Sequence, residues 1–180
     1  MFLIISGFLV FIFFFYFYLN KLDPSLENLN KECVIQTEKK IVQGNSLNGL
    51  IESGEVVEIL FDYYNCNEVE REDVVLLNYP GFEKPIIKIV KGVSGDRFQL
   101  KETEQGWHVL INGNILQNSE GIPYLLNEKR VGMLKLYEKD YRGIIPDNTL
   151  LLLGNLPSGS IDSTIFGLVD KSGILGKAIR

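Results

Sequence analysis

Ser46, in Val42-Gln43-Gly44-Asn45-Ser46-Leu47, and Lys88, in Pro85-Ile86-Ile87-Lys88-Ile89-Val90, have the side-chain types that covalent peptide-bond chemistry needs. A serine hydroxyl attacks a carbonyl once a base takes its proton, and a lysine is that base only where its surroundings hold the amine neutral. The run around Lys88 supplies such surroundings, because in a strand Ile86 and Val90 share its face while Lys91 lies on the other. The one histidine, His108, sits apart in Gly106-Trp107-His108-Val109 and reads as a hairpin side chain, so a histidine triad has little to draw on. Each residue alone has a blander reading: Ser46 as a turn residue after glycine, Lys88 as a solvent-facing strand lysine.

The elements that must position this pair are short. Apolar runs at Val56-Tyr64, Val74-Tyr79, Ile86-Val93, Phe98-Lys101, Trp107-Ile111, Ile115-Leu116, Thr149-Leu153, Phe166-Val169 and Ile174-Ile179 are separated by turn residues and read as strands. Asn112-Gly113 between two of them is a two-residue hairpin signal. The stretch near Leu125 to Tyr141 reads as a short helix or an irregular segment, and residues 101–145 read as an insertion. The expected fold is mainly β.

Ahead of these runs, Phe2 to Leu19 carries no charge and holds seven of the eleven phenylalanines. As a helix it would reach about 27 Å at roughly 1.5 Å per residue, nearly a bilayer. No Lys or Arg precedes it and no small residues follow it, which argues against a cleaved leader, while Tyr16 and Tyr18 suit a membrane interface. Residues 1–20 are therefore expected to be a retained single-span transmembrane anchor and 21–40 a polar juxtamembrane connector. Lys21 and Lys31 follow the span, so the positive-inside rule alone votes for a cytoplasmic domain, although long folded domains translocate largely regardless of flanking charge.

All 18 Lys and Arg and all 23 Asp and Glu lie beyond the span, so the formal charge of −5 belongs to the rest of the chain. Without a basic stripe such a surface repels phosphates, which excludes nucleic acid as the expected partner. Cys33 and Cys66 are too far apart for metal-ligand or redox spacing, and no metal or other cofactor is expected. Outside the cytoplasm the two would suit a disulfide, and inside it two half-buried thiols.

Taken in order, several segments resemble the type I signal peptidases, the membrane-anchored serine-lysine proteases. Gly44-Asn45-Ser46-Leu47-Asn48-Gly49 is similar to G-x-S-M-x-P, and Gly54-Glu55-Val56-Val57 to G-D-x-V. Ile87-Lys88-Ile89-Val90 with Gly95-Asp96 resembles K-R-V and G-D. Ile111-Asn112-Gly113 resembles V-N-G, and Gly154 through Gly167 resembles G-D-N-R-x-N-S-x-D-S-R-x-F-G. The resemblance implies a signal-peptidase-like β fold in which residues 41–180 form the peptidase domain. It further implies a Ser46 nucleophile with a Lys88 general base, Ser160 hydrogen-bonded to the Lys88 amine, and Asp162 supporting that loop. The backbone N–H of Ser46, with Gly44 as a second candidate, would stabilise the oxyanion. Its implied partners are preprotein signal peptides, membrane lipid and the secretion translocon, with the catalytic domain on the extracytoplasmic side.

Departures from the motifs are most numerous in the last segment, where Gly154-Asn155-Leu156-Pro157 stands in place of G-D-N-R. Leu47 for methionine is near-isosteric, and Gly49 for proline keeps a turn signal in Asn48-Gly49. Asn155 stands where aspartate is expected, Thr164 where an arginine is, and Ile89 where the arginine after the lysine is. Joint loss of the Ile89 and Asn155 charges fits a pair lost together, since removing one partner strands a buried charge. Two other functions remain: a serine-lysine maturation peptidase of a conjugative-transfer system, and a catalytically inactive anchored β domain that binds extended peptides.

Overall fold

The structure is a computed structural model and describes residues 35–180. The anchor expected over residues 1–20 and most of the connector lie outside that range. Among the described residues no helix is long and apolar enough to cross a membrane.

The chain is mainly β, as its run-and-turn pattern requires. Strands β1 (Gln36–Ile41), β2 (Val56–Phe61), β3 (Val74–Leu77) and β4 (Ile86–Gly92) come first. Next are β5 (Phe98–Thr103), β6 (Gly106–Ile111), β7 (Asn114–Ile115) and helix α1 (Glu128–Asp140). The chain ends with β8 (Thr149–Leu153), the short helix α2 (Ser163–Phe166), β9 (Val169–Asp170) and β10 (Ile174–Ile179). Strand β1 begins at Gln36, so five of its six residues fall in the stretch read as connector. They pair with β2 from Gln36 opposite Phe61 to Ile41 opposite Val56.

Seven strands form one antiparallel sheet in the order β1-β2-β10-β3-β4-β8-β9, and β5-β6-β7 form a second. The β6–β7 turn is Asn112-Gly113, with φ of 52° and 82°, the left-handed pair that a two-residue hairpin of this type demands. Helix α1 starts where the Asn127 side chain accepts the Arg130 backbone N–H. It buries only Val131 and Leu134, against Phe98, Val109, Ile111 and Leu126, so its sequence carries little amphipathic signal. The second sheet and α1 thus build their own apolar layer over residues 98–145, containing the stretch read as an insertion.

Four of the expected strands are shorter than read: Val74-Tyr79 ends at Leu77, Ile86-Val93 ends at Gly92, and two others change more. Val56-Tyr64 stops at Phe61 because Asp62 turns left-handed at φ 60° and a 3-10 turn, Tyr63–Asn65, follows. Within Phe166-Val169 the chain is still leaving α2, which the Asp162 side chain caps by accepting the Thr164 N–H, and only Val169 enters β9.

Candidate active site

Ser46 lies on the turn that leaves β1. Leu47 is fully buried and packs with Val42, Ile51, Ile59, Leu76 and Ile89, and the Leu50 and Ile51 N–H groups both donate to the Leu47 carbonyl. That buried plug fixes the turn and leaves Ser46 half-exposed beside it. Gly49 sits at φ 85°, a conformation closed to proline, whose ring holds φ near −65°. The turn after the serine is therefore built differently from one with the family's proline.

Lys88 is carried by β4, opposite Val75 of β3, and is only 4% exposed. Its Nζ donates to Ser46 Oγ at 2.9 Å and to the Ile87 carbonyl at 2.7 Å. Burial pushes the ammonium from its ordinary 10.5 down to about 8, with the Asp162 charge opposing that fall. Near pH 8 half of the amine is thus neutral, and a neutral amine accepts the Ser46 proton through the same contact. Lys91, 2% exposed, is engaged elsewhere: its Nζ donates to both Glu72 carboxylate oxygens and to the Gln117 carbonyl.

Asp162 is fully buried and acts as a hub. One carboxylate oxygen accepts the Gly154 N–H, the Ser160 N–H and the Ser160 hydroxyl at 2.9, 3.1 and 2.7 Å. The other accepts the Thr164 N–H and hydroxyl at 3.0 and 2.7 Å. The Ser160 hydroxyl, expected from the resemblance to bond the Lys88 amine, donates to Asp162, while Lys88 bonds Ser46 and Ile87. Thr164, in the arginine's place, satisfies Asp162 with a neutral donor. Gly154 is where these parts meet. A Cβ there would lie 2.6 Å from the Ser46 carbonyl oxygen and closer still to Ser160 Oγ, so the approach of the two segments requires glycine.

Asn155 joins three loops. Its N–H donates to the Ser46 carbonyl, its Nδ2 to the Asn48 carbonyl and Ser119 Oγ, and its Oδ1 accepts the Ser119 N–H. Ile89, 1% exposed, packs in the same cluster as Leu47, so both departures flank the Ser46 turn. Among the described residues the N–H groups of Ser46 and Gly44 make no hydrogen bond, which leaves both able to donate to an oxyanion.

A groove of about 540 Å³ opens beside the pair. Residues 39–43, where β1 leads to Ser46, line one side, and residues 84–88, leading to Lys88, line another, with Val57, Ile59 and Leu76 as its apolar lining. Strand β1 is an edge of its sheet, and β4 pairs β8 only from Ile89 onward. Both segments therefore have backbone free to pair with an added strand.

The remaining singled-out residues lie in the second layer or outside it. His108 Nδ1 is 2.7 Å from the Tyr124 carbonyl oxygen, and Trp107 Nε1 donates to Glu128 with the Lys135 ammonium over its ring. Cys66 is disulfide-bonded, and Cys33 lies outside the described residues. No cluster of three or more His, Cys, Asp or Glu suited to a metal occurs among the described residues. Sequence reading missed the Asn155 network, Tyr124, whose buried hydroxyl donates to the Gly154 carbonyl, and Arg130, which donates to the Ser160 carbonyl and to Thr164 Oγ1. These partners are distant in sequence and follow no local pattern.

Ser46 beside the buried Lys88 amine on a β scaffold has the parts that a serine endopeptidase uses. The model of the family described as signal peptidase, peptidase S26, matches residues 1–180, and the chain belongs to that family. It is similar to signal peptidase I of Bacillus caldolyticus, 26% identical over 154 residues, which cover 81% of this chain and 82% of that protein. It is also similar to signal peptidase IB of Staphylococcus aureus (strain Mu50 / ATCC 700699), 26% identical over 144 residues, 76% and 72% of the two chains. A crystal structure of a signal peptidase I from Enterococcus faecalis V583 aligns with TM-score 0.39 and 18% identity, covering 62% of this chain and 97% of that one.

Proposed function

We propose that this serine endopeptidase removes signal peptides from exported preproteins, with Ser46 as nucleophile and neutral Lys88 as general base. The observation that carries this reading is the 2.9 Å contact between Lys88 Nζ and Ser46 Oγ, made by a lysine whose burial lowers its pKa to about 8. The names of the relatives supply the substrate class.

In the first step Lys88 takes the Ser46 proton as Oγ bonds to the scissile carbonyl carbon, and the oxyanion forms against the free N–H groups of Ser46 and Gly44. Collapse breaks the peptide C–N bond, the leaving amine takes the proton from Lys88, and an acyl-enzyme remains. Lys88 then takes a proton from water as the water oxygen attacks the ester carbon; collapse breaks the ester C–O bond, Ser46 Oγ takes that proton back from Lys88, and the acid leaves. The preprotein lies extended in the groove, pairing with the β1 and β4 approaches, and shallow pockets beside Ser46 admit small side chains before the cut.

Residues 1–20 anchor the enzyme as a single span, with the peptidase domain on the extracytoplasmic side where a cleavage region emerges from the translocon. The test is incubation of the detergent-purified full chain with a preprotein, followed by N-terminal sequencing of the product. Cleavage after the leader in wild type and none in Ser46→Ala is expected. Binding without cleavage would replace this reading with that of a peptide-binding domain.

A further inference from the structure

The Asp162 hub is held from outside its own turn. Thr164 is 1% exposed and gives Asp162 only a neutral donor, where the resemblance puts an arginine. The cation nearest that place comes from another element. Arg130, in the first turn of α1, sends its guanidinium to the Ser160 carbonyl and to Thr164 Oγ1. Its side chain passes the turn closely enough that a Cβ on Gly159 would sit 3.6 Å from Arg130 Cδ. A second tie, the Leu125 N–H donating to the Pro157 carbonyl at 2.9 Å, fastens the same turn to the residues leading into α1.

We propose that Arg130 is a positioning residue, a cationic strut supplied by the second layer that holds the Ser160–Thr164 turn and so keeps Asp162 in place behind Lys88. Ser160 and Thr164, the two residues it grips, are the same two whose hydroxyls donate to Asp162. One guanidinium therefore braces both sides of the carboxylate at once. Both contacts are made by one guanidinium nitrogen, Nη1, which bridges two oxygens on different residues. The helix carrying it is otherwise remote from the chemistry, so Arg130 acts through Asp162 and not on substrate.

The effect reaches Lys88 through charge. The charged group that acts on that amine is Asp162 from the turn, while Lys84, Lys39 and Lys40 line the groove beside it. Losing the strut leaves those lysines in place and frees only the carboxylate. Asp162 raises the Lys88 pKa, so a loosened Asp162 lets it fall further.

This inference rests on the serine-lysine reading, and its test separates the two. In the full chain in detergent, Arg130→Met keeps the aliphatic stem and removes the donors. With a preprotein-derived peptide, kcat should drop about tenfold with KM unchanged, as expected when a group is misplaced and not removed. The Lys88 midpoint, followed by NMR of isotopically labelled lysine, should move down by about half a unit. Arg130→Lys should recover part of both, and Arg130→Met with Thr164→Arg should recover most of them by placing the cation on the turn itself. Wild-type kcat and an unmoved Lys88 midpoint in Arg130→Met would overturn the proposal. So would a loss that follows the melting temperature and is recovered in neither second variant. If wild type cleaves no leader, the proposed function fails, and the lysine titration still decides the role of Arg130.

Discussion

The nucleophile turn with the β4 lysine and the Gly154–Thr164 turn behind it are two halves of one site, held together by different means. In the first half backbone and apolar burial do the positioning: Leu47 plugs the core below Ser46, and β-pairing sets Lys88 in register with Val75. In the second half buried polar groups do it, with five donors on Asp162 and four hydrogen bonds to the N–H and side chain of Asn155. The first kind tolerates only matched shapes. The second can change its residues as long as each donor still meets an acceptor, which is how Asn155 and Thr164 stand there in place of an aspartate and an arginine.

The largest effects should come from the first half. Ser46→Ala and Lys88→Ala should each lower preprotein cleavage by roughly 10⁴-fold or more with unchanged circular dichroism. Substantial cleavage by either variant would remove that residue from the chemistry. Lys88→Met should be equally inactive and yet more stable at pH 7. A lysine whose folded pKa falls from 10.5 to about 8 loses stability below pH 8 and regains it as pH rises toward 10.5. The gain is on the order of 3 kcal/mol and is read by denaturant unfolding at pH 7 and pH 10.

Gly154→Ala tests where the halves touch. Its Cβ meets the Ser46 carbonyl and the Ser160 side chain, so a loss of about 100-fold in kcat and about 1–3 kcal/mol in stability is expected. An active, stable variant would show that the two segments are not closely coupled.

The pH profile comes next in size. Because the neutral amine is the active form and burial sets its pKa near 8, kcat/KM should fall about tenfold per unit below pH 8 and level off above it. A flat profile from pH 6 to pH 9 would argue against a lysine base. The smallest effect belongs to the polar half: Asn155→Asp loses the donor to the Asn48 carbonyl and Ser119 hydroxyl. About 1–3 kcal/mol of stability should go, with activity reduced only several-fold, as measured by thermal unfolding and peptide cleavage. A neutral outcome would mean that the aspartate of the family motif suits this turn as well.

The β runs, the Asn112-Gly113 hairpin and the Ser46 and Lys88 segments were legible in sequence because each is a local pattern. The short helix α2 ends at Phe166, where a strand was read to begin, and a single side chain, Asp162, decides that turn by capping it. The partner of the Ser160 hydroxyl was read as Lys88 and is Asp162, because a motif carries residue types and their order but no distances. Asn155 read as damage to a motif, and its network with Ser119 and Asn48 needs three loops already folded.

By itself the sequence determined a mainly β chain, a serine and a lysine in segments able to carry them, and the apolar neighbours that would make that lysine's charge costly. Tertiary structure decided that the two meet at 2.9 Å, that burial outweighs the Asp162 charge in setting the lysine's pKa, and that an arginine of α1 reaches the turn behind them. Local patterns fix which residues a strand or turn contains. The distances between strands and turns, and the desolvation that tunes a proton, exist only after distant segments have packed and excluded water.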